Sequence, residues 1–437
     1  MRAPLALLVL AAWCAAARAQ DMPGMAMPAP PAAPPAKPDD MSGMDMGHTP
    51  AMMAGQLGAY PMTRDASGTS WQPDSAPMPG FAWSAAGWTG MVHGYADLVY
   101  DDQTGPRGAT ETFSESMLML MAQHPAGPGT LTLRSMFSLD PAMGPDGYPL
   151  LLQTGETANG VTPLIDRQHP HNLFMELAGV YSVPLDKTAS AFVYVGYPGE
   201  PALGPVTFMH RFSGMDDPAA PITHHWLDST HITFGVITAG LVHGPWKLEG
   251  SVFNGREPDQ YRWGFDTLRL DSYSGRLSFN PTANWAFQVS CGDLHSPEQL
   301  TPNEDQHRLT ASATYNRHLA GGNWQTTLAW GRNNDEPGHR LDGLLLESAF
   351  NLGRSTVFAR VETVQKDDLF LAPSPLAGEV LRVSEASLGY VYDIPVSKHF
   401  ALGLGMLATI NFVPDGARAV YGDDPAGYMP FVRLKVR

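Results

Sequence analysis

From Trp88 onward, apolar and polar residues alternate with period two in segments of about ten residues, the pattern of a strand whose two faces meet different surroundings. In 273–280, Tyr273, Gly275, Leu277 and Phe279 share one face, and Ser274, Arg276, Ser278 and Asn280 the other. In 399–412, Phe400, Leu402, Leu404, Met406, Ala408, Ile410 and Phe412 oppose Ala401, Gly403, Gly405, Thr409 and Asn411. Sixteen such segments are predicted, at 88–100, 112–123, 130–140, 172–184, 187–197, 229–241, 245–254, 271–280, 284–294, 306–318, 323–333, 342–353, 355–365, 383–394, 398–412 and 426–436.

The connections alternate in length. Short turns such as Gly244-Pro245 and Gly353-Arg354 follow every other strand, and the longest loops are 141–171, 198–228 and 366–382. A soluble sandwich or propeller also alternates, but this long-short rhythm is that of an outer-membrane barrel. The fold expected is all-β: a transmembrane antiparallel up-and-down β-barrel of about sixteen strands. The last segment, Tyr428 to Arg437, keeps the alternation through Val432, Leu434 and Val436, with Arg437 where such proteins usually carry an aromatic residue.

Composition agrees with many short strands and turns: 16% charged residues, 10% aromatic, 44 Gly and 39 Pro in 437 residues. A net charge of −16 excludes a basic nucleic-acid surface. Met1-Arg2, the apolar run Leu5 to Ala17 and Ala17-Arg18-Ala19 read as a signal peptide over 1–19, with export to the cell outer membrane. Residues 20–56 are a Pro-, Ala-, Gly- and Met-rich tail expected to be disordered. Residues 57–87 are a linker or a plug, and 88–437 the barrel. An even strand count places the tail in the periplasm.

The polar faces, turned inward, give a lumen lined by Arg134, Glu176, Arg276, Arg308, Arg360 and Glu362, with Asp97, Glu115, Lys247, Glu249, Glu347 and Glu385 beside them. Both signs occur on neighbouring strands. The lumen is therefore either laced by ion pairs or a charged path for polar solutes.

The tail carries candidate metal chemistry. Met22, Met25, Met27, Met41, Met44, Met46, Met52 and Met53 crowd around His48. Thioethers are soft ligands that need no deprotonation and select Cu(I). A second candidate lies in two long loops. Asp166, His169 and His171 occupy one, and His210, His224 and His225 the other, with imidazole and carboxylate suited to Cu(II), Zn(II) or Ni(II). No hydrolase elbow, zincin helix or phosphate-binding loop occurs, so no catalytic residue is assigned and the chain is not expected to be an enzyme. Ser229 near His231 leaves an outer-membrane lipid hydrolase as a third reading.

The units MPGMAM and MSGMDMGH, ahead of an outer-membrane barrel, resemble the copper resistance protein B family. The resemblance implies copper as bound ion, sequestration or export at the outer membrane, lipid as surroundings, and periplasmic copper proteins as partners. The alternative is a general porin or solute channel with the tail as linker.

Overall fold

The computed structural model describes residues 54–437. The leader and the tail ligands Met22 to Met53 lie outside the described residues. Each alternating segment becomes a strand. Met117, Met119 and Met121 are buried on the inner face, while Leu118 and Leu120 between them face outward. The first strands are β1 (Phe81–Ala85), β2 (Trp88–Gln103), β3 (Thr110–Ala126) and β4 (Gly129–Phe137). A loop hairpin follows, β5 (Tyr148–Thr157) with β6 (Pro163–Gln168). Then come β7 (Phe174–Pro184), β8 (Ala189–Gly196), β9 (Val236–His243), β10 (Trp246–Phe253), β11 (Ser272–Thr282) and β12 (Trp285–Leu294). The wall continues through β13 (Asp305–Leu319), β14 (Gly322–Glu336), β15 (Arg340–Leu352), β16 (Ser355–Lys366), β17 (Leu381–Pro395), β18 (Phe400–Phe412) and β19 (Ala426–Val436).

Omitting β1 and the β5–β6 hairpin, sixteen strands form a closed antiparallel barrel. It shuts where β19 pairs with β2, from Gly427 opposite Gln103 to Lys435 opposite Tyr95. The short strand β1 continues that edge, pairing with Trp88 to Val92. The predicted segments coincide with the wall strands, with two main corrections. The segment predicted from 229 becomes β9 only at Val236, because Ser229 to His231 form a helical turn inside a loop. The segment ending at 140 stops at Phe137, because Asp140 begins another such turn.

The outer face exposes Leu98, Leu118, Leu248, Val289, Leu328, Leu346, Leu388 and Leu434. A continuous apolar belt around a closed wall has its match in hydrocarbon, not water. At the short-turn end the belt is bordered by aromatic rings. Trp246 stacks on Phe279 at 3.9 Å, and Trp285 lies 4.8 Å from Tyr315, which in turn lies 5.8 Å from Trp324. Such rings are amphipathic and settle at the headgroup level.

The interior is occupied. Residues 54–80 lie in the lumen toward the short turns. There Arg134 of β4 donates to the carbonyls of Gly68 (2.6 Å) and Ala66 (3.2 Å), Lys247 of β10 donates to Thr69 O, and Asn280 of β11 donates to Gln72 O. Above this segment, the loop 197–235 crosses from one side of the wall to the other. Ala202 N donates to Ser251 of β10, and Gly204 N to Ser290 of β12. Further along, Arg211 pairs with Glu347 of β15 at 2.6 Å, Asp217 with Arg360 of β16 at 3.3 Å, and Asp216 with Arg433 of β19 at 3.0 Å.

Candidate functional site in the lumen

Most inward charges of the wall are paired, Glu115 and Glu385 being exceptions among the described residues. Arg134 pairs with Glu176 at 3.0 Å, and Glu249 takes both Arg276 (2.9 Å) and Lys247 (2.7 Å). Glu362 accepts from the backbone N–H groups of Ile222 and Thr223, so it anchors the crossing loop. Arg308 donates to Ser229 Oγ at 3.0 Å, which ties down the serine of the hydrolase reading; the ring of His231 turns instead to the carbonyl of Asp228. These charges hold segments in place, because each would cost several kcal/mol if buried without a partner (roughly, per ion).

The histidines gather at the long-loop end. A single helical turn, His224–Leu227, sets His224 and Asp228 four residues apart on one side. His224 Nδ1 lies 2.7 Å from Asp228 Oδ1, and His231 Nδ1 lies 2.9 Å from the Asp228 carbonyl. From the β4–β7 loop, His171 Nδ1 lies 2.8 Å from Asp140 Oδ2. In all three, Nδ1–H faces an oxygen and leaves Nε2 with its lone pair, and each Nε2 is buried without a hydrogen-bond partner. Ring centres of His171 and His231 are 5.3 Å apart, those of His224 and His231 5.1 Å, and Phe208 packs against this group. A carboxylate or carbonyl behind each imidazole is the arrangement that orients histidines toward a metal.

Beside these three, His169 and His225 lie with ring centres 5.6 Å apart. Ligand atoms of His225, Glu257 of the β10–β11 loop and Glu298 of the β12–β13 loop all lie within 4.8 Å of one another. The buried carboxylate of Glu257 has His225 Nδ1 3.4 Å from its Oε1. Burial holds His169, His224 and His231 below the ordinary imidazole range, which favours the neutral, coordinating form. Burial would raise Asp228 as well, but hydrogen bonding to His224 and the charge of Arg211 outweigh it and hold the carboxyl well below its usual range.

Of the loop residues expected from sequence, His169, His171, His224 and His225 come together. Asp166 does not join them; it pairs with Arg107 at 2.7 Å and accepts from Tyr421, fixing the β5–β6 hairpin to the β2–β3 and β18–β19 loops. His210 is separate as well, with Nε2 3.3 Å from the Met136 sulfur. Sequence reasoning missed Asp140, Asp228, Glu257 and Glu298, and took His231 only as the neighbour of Ser229 in the hydrolase reading. The spacing of His224, Asp228 and His231 in HHWLDSTH was the available signal, since residues three, four and seven apart share one helical face.

The wall, its apolar belt and its aromatic border define a transmembrane β-barrel of the outer-membrane kind. No protein-family model matches the chain, and no curated protein matches it. Among solved structures, OmpF of Salmonella typhi in complex with daunomycin is 7% identical with a TM-score of 0.48, covering 81% of this chain and 100% of its own. An anion-selective porin from Comamonas acidovorans is 12% identical with a TM-score of 0.47, covering 80% of this chain and 99% of its own. The OmpT outer membrane protein of Vibrio cholerae, lacking its loop L8, is 8% identical with a TM-score of 0.45, covering 79% and 99%.

Proposed function

We propose that the protein is an outer-membrane solute channel of restricted bore, porin-like in wall and narrowed by its own crossing loop. The observation that carries this reading is the loop 197–235, tied by buried polar bonds to opposite sides of a polar wall. Such a crossbar narrows a bore that sixteen strands would otherwise leave wide. The barrel sits with its short turns toward the periplasm. Planar-bilayer recording tests it. The wild type conducts in small steps, and Arg211→Ala, which frees the crossbar, raises the step size several-fold. Conductance at the bare-bilayer level from both proteins would overturn the reading.

The histidine cluster supports a second reading, in which the cargo or resident ion is a transition metal such as copper. Imidazole with carboxylate suits Cu(II), Zn(II) or Ni(II). Titration of the full chain with Zn(II) checks it: uptake is expected in the wild type and lost in a His224→Ala/His231→Ala variant. Equal uptake by both would remove this reading and leave the channel untouched.

A further inference from the structure

The strongest unassigned chemistry lies lower in the lumen. On β2 and β3 the register sets Met91 opposite Met121 and His93 opposite Met119. The next strand sets Met136 opposite Met119. All five side chains are buried on the inner face. From above, the crossing loop lowers His210 onto this patch, its Nε2 3.3 Å from Met136 Sδ and its ring 5.6 Å from that of His93. From below, Met62 and Met78 of the lumenal segment complete a cavity of about 50 Å³.

Lumenal positions elsewhere on the wall carry Glu176, Glu249, Glu347, Glu362 or Arg360. Methionine packing alone would explain apolar filler here, since thioethers adapt to irregular gaps. It does not explain two imidazoles set among the thioethers. Leucine or valine would fill the gap without setting an imidazole Nε2 within hydrogen-bond distance of a thioether sulfur. Sulfur and imidazole converging from wall, loop and lower segment form a soft donor set, and the two charged residues of the lining are already engaged, Arg134 by Glu176 and Asp65 by Gln56 N and the Tyr60 hydroxyl. Thioether selects Cu(I) and its close analogue Ag(I) over hard cations.

We propose that this pocket binds a soft monovalent cation, Cu(I) or Ag(I), through Met91, Met119, Met121, His93 and His210. The site joins three separately anchored parts, so an ion there clamps the crossing loop to the wall and the lower segment. The inference rests on the barrel, and on neither conduction nor the histidine cluster above.

The test uses the full chain folded in detergent micelles, titrated with Cu(I) against a chromophoric chelator, beside the variant Met91→Leu/Met119→Leu/Met121→Leu. Leucine keeps the volume close, so the wall should fold. Methionines before residue 54 are present in both proteins and cancel in the difference. The wild type should hold one more Cu(I) equivalent than the variant, while Zn(II) uptake is the same in both. Equal Cu(I) equivalents at equal affinity would overturn the proposal. If the triple variant does not fold, His210→Gln is compared by X-ray absorption on Ag(I)-loaded protein: a mixed sulfur and nitrogen shell should lose nitrogen, and an unchanged spectrum overturns the site.

Discussion

Two regions of one lumen differ in the donors they gather. Near the long loops, His171, His224 and His231 stand with carboxylate or carbonyl oxygens behind them, and Glu257 and Glu298 beside His225. Toward the short turns, thioethers of β2 and β3 meet His93 and His210, with Asp65 and Arg134 the charged residues of the lining. On the two proposed readings, the upper region would take a borderline divalent ion and the lower one a soft monovalent ion. The same wall supports both because a strand offers only alternation; which donors converge is decided by the chain laid against its inner face. The crossing loop contributes to both regions, His224, His225 and His231 above and His210 below, and so lies between them.

The largest expected effect comes from breaking that divider. Arg211 is buried between Asp228 (2.8 Å) and Glu347 (2.6 Å), and Arg211→Ala leaves both carboxylates short of a cation. Removing one partner of a buried pair costs about 3–5 kcal/mol, so the loop should loosen, with earlier thermal unfolding as well as larger conductance. Thermal melts of the folded barrel check this; an unchanged midpoint would show that the loop is held elsewhere.

The next change targets the lower region. Arg134→Ala removes the donor that holds Gly68 and Ala66 and leaves Glu176 to Tyr194 alone. The cost is about 3 kcal/mol by the same reasoning. Limited proteolysis should then cut within 54–80 in the variant and spare the wild type.

Asp228→Asn sharpens the contrast between the regions. It keeps the side-chain shape but weakens the anchor behind His224, and loss of such an orienting carboxylate costs about 10–100-fold in metal affinity. Zn(II) or Cu(II) affinity should fall by that factor while Cu(I) uptake at the methionine pocket is unchanged. A parallel loss of Cu(I) would mean that the two regions act as one site.

The smallest effect lies outside both. Trp246→Ala on the aromatic border removes a ring stacked at 3.9 Å on Phe279, and should cost about 1 kcal/mol in barrel stability without altering uptake of either ion. Urea unfolding from micelles measures it.

Much of the wall was legible from the chain alone. Period-two alternation needs only neighbouring residues, so strands such as β11 and β18 and the turns at Gly244 and Gly353 could be placed from local pattern. Failures came where a loop folds back: Ser229 to His231 carry a strand-like run yet form a helical turn held by Arg308 and Asp228. Of the site, the sequence displayed the histidines and their spacing. It did not reveal that Asp166 turns to Arg107 and Tyr421, that Glu257 and Glu298 arrive from two other loops, or that Met91, Met119 and Met121 line a pocket rather than face lipid. An alternating strand written Met-Leu-Met-Leu-Met is apolar on both faces, so the pattern cannot say which side is inside. By itself the sequence determined the strands, their order and the closed wall, because these follow from local alternation and short turns. Only the tertiary structure decided what occupies the lumen, because residues far apart in the chain meet there through loops whose paths no local periodicity encodes.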